Sequence, residues 1–293
     1  MQTRCGYIAI IGRPNAGKST LFNRLVGQKV SSVSYKPQTT RHRILGVRTD
    51  GDAQFVYVDT PGIHLGGKKL LNRVLNKNAL NALHDVHLIY MLIDRGGWTR
   101  EEEHILKQLR DVECPVILII NKIDKLEKRE HLFELLTLSS EKYDYAEIVP
   151  ISALKRDNIN SLLEVSKKYL PVSEFYYSDE YLTDRSTNFI CAELIREAAF
   201  VYLEKELPYA THVEIEKYDA GVDPIHISAV IWVEKDSQKS ILIGKQGAML
   251  KKIGSRARKA MQRQLDIRAH LEIWVKLNKD WQDNPQVVGK YEQ

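Results

Sequence analysis

Gly12-Arg13-Pro14-Asn15-Ala16-Gly17-Lys18-Ser19 follows the apolar run 7–11 and opens a helix-like stretch, 19–25. The octet fits G-x-x-x-x-G-K-[ST], and its strand–loop–helix setting is the one the motif's mechanics require. Glycines let consecutive backbone N–H groups curl round phosphate oxygens, and the helix N-terminus adds a favourable dipole. Lys18 is placed to reach the outer phosphates, and Ser19 to hold a magnesium ion. Gly12, Arg13, Pro14, Asn15, Ala16, Gly17 and Thr20 complete the expected cradle.

Working outward, short apolar segments at 55–58, 88–93, 116–120 and 147–151 alternate with longer amphipathic ones at 70–83, 101–109 and 158–169. Near-continuous apolarity predicts strands buried on both faces, hence an α/β fold with a wound, mostly parallel sheet over residues 1–170. Ligands bind such sheets at the carboxyl ends of the strands, where the other motifs fall. Asn121-Lys122-Ile123-Asp124 follows strand 116–120. Guanine presents N1–H and N2–H₂ as paired donors, which the Asp124 carboxylate can accept; adenine offers no such pair. A site built on paired polar contacts discriminates by roughly 10⁴-fold or more. Asn121 can brace the loop, Lys122 can lie over the ring, and Ser152-Ala153 can offer a backbone N–H to the base carbonyl.

Asp59-Thr60-Pro61-Gly62 ends strand 55–58. Asp59 is expected to hold magnesium and the Gly62 N–H to sense the terminal phosphate. Before it lies Gln38-Thr39-Thr40-Arg41, where Thr40 is the better candidate to complete the metal shell. As isolated residues these threonines read as ordinary loop hydroxyls; the ordered series of loops favours the functional reading. The two loops are candidate switches, ordered by a terminal phosphate and relaxed after its loss. Lys18, Thr40, Asp59 and Gly62 are therefore the expected catalytic set. Ile63 occupies the place where Ras-like enzymes carry a water-orienting glutamine, so slow intrinsic turnover is expected. Asn15 is either a helper that binds potassium or a loop-shaping residue. Arg41 and Arg43 are candidate charge-neutralising fingers, or surface or RNA contacts.

Leu170-Pro171 stops the last helix, and 171–187 reads as a linker. Residues 188–280 then read α-β-β-α-α-β: a helix over 188–207 capped by Ser186 or Thr187, strands at 212–218 and 225–234, a helix ending at 243, a basic helix to 265, and an alternating strand over 270–277. Residues 281–293 read as a tail. Ile243-Gly244-Lys245-Gln246-Gly247 joins two helices in this order, which resembles an α+β KH domain of the second topological type. A G-x-x-G turn lets a single-stranded backbone approach closely. Lys245, Lys251 and Lys252 can neutralise phosphates, and Ile241, Ile243 and Ile253 are either groove floor or core.

The net charge is +5 over 293 residues, but 235–263 holds nine basic residues and only Asp236 as an acid, leaving the rest of the chain net negative. Such a concentration is either a polyanion-binding face or a solvated helix face. No apolar run is membrane-spanning in length, the N-terminus does not read as a signal peptide, and Cys5, Cys114 and Cys191 are too scattered for a disulfide framework or a zinc site.

Together, 12–20, Gln38-Thr39-Thr40-Arg41-His42-Arg43, 59–62 and 121–124 resemble the Era family of bacterial GTPases. So do Thr183-Asp184-Arg185-Ser186, Glu206-Leu207-Pro208-Tyr209, 243–247 and 270–275. The resemblance spans nearly the whole chain. It implies a P-loop GTPase domain followed by a KH domain, with GTP, GDP and Mg²⁺ as ligands and K⁺ as a candidate. It also implies binding near the 3′ end of small-subunit ribosomal RNA, a role in small ribosomal subunit assembly, and a cytoplasmic monomer with a peripheral inner-membrane fraction. A GTP-using RNA-modifying enzyme and an RNA binder with purely structural GTP are the competing readings; an ATP-dependent kinase is disfavoured by Asn121–Asp124.

Overall fold

The computed structural model describes residues 2–36, 39–63 and 69–291; Gln38 of the threonine loop lies outside them. The first part runs β1 (Arg4–Gly12), α1 (Lys18–Val26), β2 (Ile44–Asp50), β3 (Ala53–Asp59), α2 (Leu70–Asn81), β4 (Leu88–Asp94), α3 (Arg100–Leu109), β5 (Val116–Asn121), α4 (Arg129–Ser140), β6 (Glu147–Pro150) and α5 (Ile159–Lys167). The strands form one sheet in the order β2-β3-β1-β4-β5-β6. All pairs are parallel except β2–β3. Ile8, Ile10, Tyr57, Tyr90 and Ile119 pack on one face with Phe22 and Leu162. Ala9, Ile11, Met91 and Leu118 pack on the other with Ala79 and Ile105. Burial on both faces explains the unbroken apolarity of the inner strands. From β1 the chain passes through β2 to β3 on one side and then crosses to β4 on the other. The sheet's switch point therefore lies at the end of β1, where the phosphate loop begins.

β2 is the strand the sequence pattern does not announce. Gly46 interrupts its β-branched signal, and packing requires that glycine: a Cβ there would sit 2.4 Å from Val26 Cγ2 and 2.6 Å from Phe22 Cζ.

The expected linker is instead part of the first body. Thr183 Oγ1 donates to Leu45 O at 2.6 Å, Asp184 Oδ1 accepts the Leu45 amide at 3.0 Å, and Leu182 O accepts the Val47 amide. Phe175, Tyr177 and Tyr181 pack over Cys5, Val47 and Val56. The aromatic content that broke the segment's periodicity is the cover of this sheet.

The second part has the expected order: α6 (Thr187–Tyr202), β7 (His212–Asp219), β8 (Ile225–Val233), α7 (Asp236–Ile243), α8 (Ala248–Leu265) and β9 (Ala269–Leu277). Its sheet is β7-β8-β9, antiparallel then parallel. Ser186 caps α6, accepting from the Phe189 amide. The helix stops at Tyr202 rather than near 207, because Leu203 turns extended and Lys205 takes a left-handed φ of 53°. The expected tail is also docked. Trp281 is fully buried, and with Val288 and Tyr291 it packs on Leu71, Val74 and Leu75 of α2. No helix among the described residues is long and apolar enough to cross a membrane.

Candidate functional site

The phosphate loop is shaped by close approach. Gly17 has φ 106°, and a Cβ there would lie 2.1 Å from Asn121 Nδ2. Asn121 is the brace: its Nδ2 donates to Ala16 O at 2.8 Å, and its Oδ1 accepts the amides of Lys122 at 2.8 Å and Ala153 at 3.1 Å. Lys122 Nζ donates to Asn15 O at 2.6 Å and to Asp94 at 3.1 Å. Asp124 accepts from Ser152 Oγ at 2.5 Å. Loops at the ends of β1, β5 and β6 are thus locked into one unit. The Ser152 amide donates to Asp157 O and the Ala153 amide to Asn121. Both expected donors to a base are therefore already engaged, Ala153 in holding the brace.

Lys18 is buried and donates to Gly12 O and Arg13 O, 3.0 Å each. Burial pulls its ammonium down to about 8, against the attraction of Asp59. Arg13 turns its side chain to Asp94 at 2.9 Å and to Glu102. Asn15 is exposed at a left-handed φ of 64°, and its side chain lines the cleft before the loop along with Pro14, Ser19 and Thr20. The left-handed backbone supports the loop-shaping reading.

Ser19 Oγ and Thr40 Oγ1 are 2.7 Å apart. Asp59 is fully buried beside them. Its Oδ2 accepts from Ser31 Oγ at 2.8 Å, while its Oδ1 is buried without a hydrogen-bond partner. Burial pushes its carboxyl up to about 6, opposed by the Ser31 hydroxyl and by Lys18. Hard oxygens converging on an unsatisfied buried carboxylate oxygen fit a magnesium ion, whose charge would reverse that rise. Thr60 Oγ1 donates to Ile10 O, and Pro61 is buried. Gly62 lies so close to the phosphate loop that a Cβ would be 3.0 Å from Pro14 Cα. Ile63 donates its amide to Gly12 O and buries its side chain in the core below, so it orients no water. Ser31, Ser32 and Ser34 were not singled out in the sequence; the hydroxyl run Ser31-Ser32-Val33-Ser34 was the available signal.

Arg41, a candidate finger or a surface or RNA contact by sequence, is instead a buried link to the second part. It is 1 % exposed and donates to Thr211 O at 2.7 Å, Tyr209 O at 2.9 Å and Pro208 O at 3.4 Å. Its guanidinium also lies over the rings of Phe200 and Trp281. Arg43 is exposed, and its carbonyl accepts from Arg185. Several described residues between α1 and β2 lean on α6 and its end: Lys29 and the Val33 amide on Glu197, Ser32 on Glu193, Lys36 on the carbonyls of Phe200 and Leu203. His42 stacks on Tyr291 at 4.6 Å, and burial drives its imidazole down to about 3. Glu193 is buried and held down to about 2, since burial raises it but the Arg196 guanidinium lowers it more.

In the second part, Gly244 has φ 72°, and a Cβ would lie 2.8 Å from Met249 Cβ; Gln246 and Gly247 are also left-handed. The groove beside this turn is lined by Gly247, Leu250, Lys251, Arg258, Leu271 and Ile273. Its floor is therefore β9 and α8. Ile253 belongs to the core, Ile243 packs against it, and Ile241 is exposed. Lys252 does not line that groove; with Tyr202, Arg256, Lys259 and Arg263 it lines a second depression, whose wall shares Lys251 and Ser255 with the first. Lys245 stands in the turn itself.

The family model for a 50S ribosome-binding GTPase matches residues 7–122, and that for a KH domain matches 206–282. GTPase Era of Marinobacter nauticus is 46% identical over 287 residues, covering 98% of this chain and 94% of the relative. GTPase Era of Ectopseudomonas mendocina is 46% identical over 286 residues, covering 98% and 96%. Among solved structures, Era in complex with MgGDPNP and nucleotides 1506–1542 of 16S ribosomal RNA superposes with a TM-score of 0.95 at 37% identity, covering 99% of this chain and 98% of that one. An Aquifex aeolicus Era variant bound to GDP·AlF4− gives 0.93 at 36% identity, covering 99% of each. Likeness at this level over both parts, including the loops that meet at Asn121, leaves one assignment: the chain belongs to the GTPase Era family.

Proposed function

We propose that the chain is a magnesium-dependent GTPase that binds small-subunit ribosomal RNA near its 3′ end and assists assembly of that subunit as a nucleotide-controlled switch. The observation that carries the nucleotide reading is Asn121, which ties the guanine-reading loop to the phosphate loop through Ala16 and to β6 through Ala153. Gly12 to Thr20 cradle the phosphates, Asp124 reads the base, and Ser152 holds the Asp124 carboxylate in place. Ser19, Thr40 and Asp59 would hold magnesium, which supplies charge neutralisation at the transferring phosphoryl group. Lys18 adds a cation, and the Gly62 amide faces the same charge. Asn15 is the residue to which a potassium ion would bind at the rim. Ile63 orients no water, so intrinsic turnover is slow.

The working division is 1–170 for the nucleotide and 188–280 for RNA, with 171–187 covering the first sheet and the C-terminal segment bridging α2 and the second part. RNA enters at Ile243, Gly244, Lys245, Gln246 and Gly247, with Lys251 on its backbone. Support comes from the relative solved with 16S ribosomal RNA and from the basic residues of α8 that line the groove, Lys251 and Arg258. The protein works as a monomer in the cytoplasm, where its RNA partner is assembled, with a peripheral inner-membrane fraction as a finer expectation. Binding of GTP and ATP is the direct test. Asp124→Asn should abolish the preference for guanine. ATP binding equal to GTP in the unsubstituted chain would overturn the assignment. Comparing turnover in potassium and sodium buffers tests Asn15, with no difference refuting that role.

A further inference from the structure

The loop that carries Thr40 is held from the second part of the molecule. Arg196 of α6 is 3 % exposed. Its Nε donates to Glu193 Oε1 at 2.7 Å, and its Nη2 donates both to Glu193 Oε2 and to the carbonyl of Thr39. Glu193 also accepts from Ser32 Oγ at 2.9 Å, on the other arm of the same loop. The buried pair therefore grips the loop at two points, on either side of residues 33–38. A trans peptide is planar, with its C=O and N–H opposed. Fixing the Thr39 carbonyl toward α6 therefore fixes the Thr40 N–H away from α6 and sets where the Thr40 side chain starts. That side chain reaches Ser19 Oγ at 2.7 Å, beside the unpartnered Asp59 oxygen.

We propose that Arg196, oriented by Glu193, is a positioning residue that presents Thr40 to magnesium when a γ-phosphate is bound, so that the second part of the chain completes the nucleotide site of the first. The inference rests on the GTPase reading and gives that site its control point. A merely structural ion pair would support every nucleotide alike. A positioning role favours only the ligand that engages Thr40. The contact sequence also runs outward. α6 packs against α8, with Leu194, Ala198, Ala257 and Met261 buried in the same core, and α8 lines the groove. Linkage makes such coupling reciprocal.

The test uses the full chain and two variants. Arg196→Lys keeps the charge that buried Glu193 needs, but a single ammonium lacks the fork that holds carboxylate and carbonyl together. The pair Glu193→Gln with Arg196→Met removes both charges at once, so neither is left buried alone. Affinities for GDP and for a non-hydrolysable GTP analogue are measured across a magnesium titration, with thermal unfolding as the fold control. The expected result is a loss of about tenfold or more for the analogue, the size of one charge-assisted hydrogen bond. Its magnesium midpoint should rise in parallel, while GDP affinity stays within about twofold. A loss shared equally by both nucleotides, or no loss in a folded variant, overturns the proposal. Should the double variant not fold, Arg196→Lys decides alone. Failure of the unsubstituted chain to bind GDP would instead strike the underlying GTPase reading.

Discussion

Replacing Arg41 by alanine should undock the loop between α1 and β2 from the second part of the molecule. Arg41 makes two well-placed hydrogen bonds to backbone carbonyls, at 2.7 and 2.9 Å, and a third that is marginal at 3.4 Å. Hydrogen bonds from a charged donor contribute roughly 1.5–3 kcal/mol each. The two good bonds together are worth about 3–6 kcal/mol. Against this stands the cost of keeping a guanidinium out of water, which burial already expresses as a lowered pKa. Water entering the vacated space would satisfy part of what the carbonyls lose. A net loss of about 3 kcal/mol remains, which is over a hundredfold in the docking equilibrium. Native-state hydrogen exchange reads this directly. The Val33 amide, which donates to Glu197 across the interface, should exchange about a hundredfold faster in the variant. Amides of β4, in the core of the first sheet, should not change. Unchanged protection at Val33 together with abolished GTP hydrolysis would refute the clamp and restore Arg41 as a catalytic finger.

Asp59→Asn should stabilise the chain in the absence of magnesium and nucleotide. The folded carboxyl is raised from 3.8 to about 6, so ionising it costs stability as pH rises through that window. The gain should reach roughly 3 kcal/mol above pH 7 and vanish below about pH 4, as read by urea unfolding with a chelator present. His42 works in the opposite sense. Its folded pKa is depressed from 6.5 to about 3, so stability falls as pH drops below 6.5, by up to about 1.4 kcal/mol per pH unit. His42→Phe, which keeps a ring against Tyr291, should remove that slope; equal slopes from pH 7 to 4 would contradict the assignment. Lys245→Ala in the turn and Lys251→Ala in the groove should each flatten the salt dependence of single-stranded RNA binding by about 0.7. Lys252→Ala, in the adjoining depression that Lys251 also lines, should lower the slope only for a strand long enough to reach beyond the groove.

The parts of the account that were legible in the sequence share a property: their chemistry is local. Gly17 must lack a Cβ because Asn121 crosses it, and both residues sit inside short motifs at strand ends. The alternation of Leu271 and Ile273 with Glu272 and Trp274 announced β9 for the same reason. What the sequence concealed depends on distant partners. Trp281 and Tyr291 look like tail residues until α2 is placed beneath them. A fully buried Arg41 carries no local mark, since its three carbonyls lie some 170 residues away in the chain. Lys251 and Lys252 read alike as a basic pair, and only the fold shows that Lys251 lines both depressions and Lys252 one. β2 was hidden by the glycine that lets it pack.

The central claim is that nucleotide identity in the first part is felt at the RNA groove of the second, through the loop gripped by α6. A ligand shifts such an equilibrium only by its differential affinity for the two arrangements. Coupling of about 1–3 kcal/mol corresponds to about 5- to 150-fold. The most direct measurement is the affinity of the full chain for an RNA carrying the 3′ end of the small-subunit sequence, with GDP and with a non-hydrolysable GTP analogue, at one fixed salt and magnesium concentration. The account predicts binding at least about fivefold tighter with the analogue. Equal affinity in the two nucleotide states, with both nucleotides bound, would contradict it.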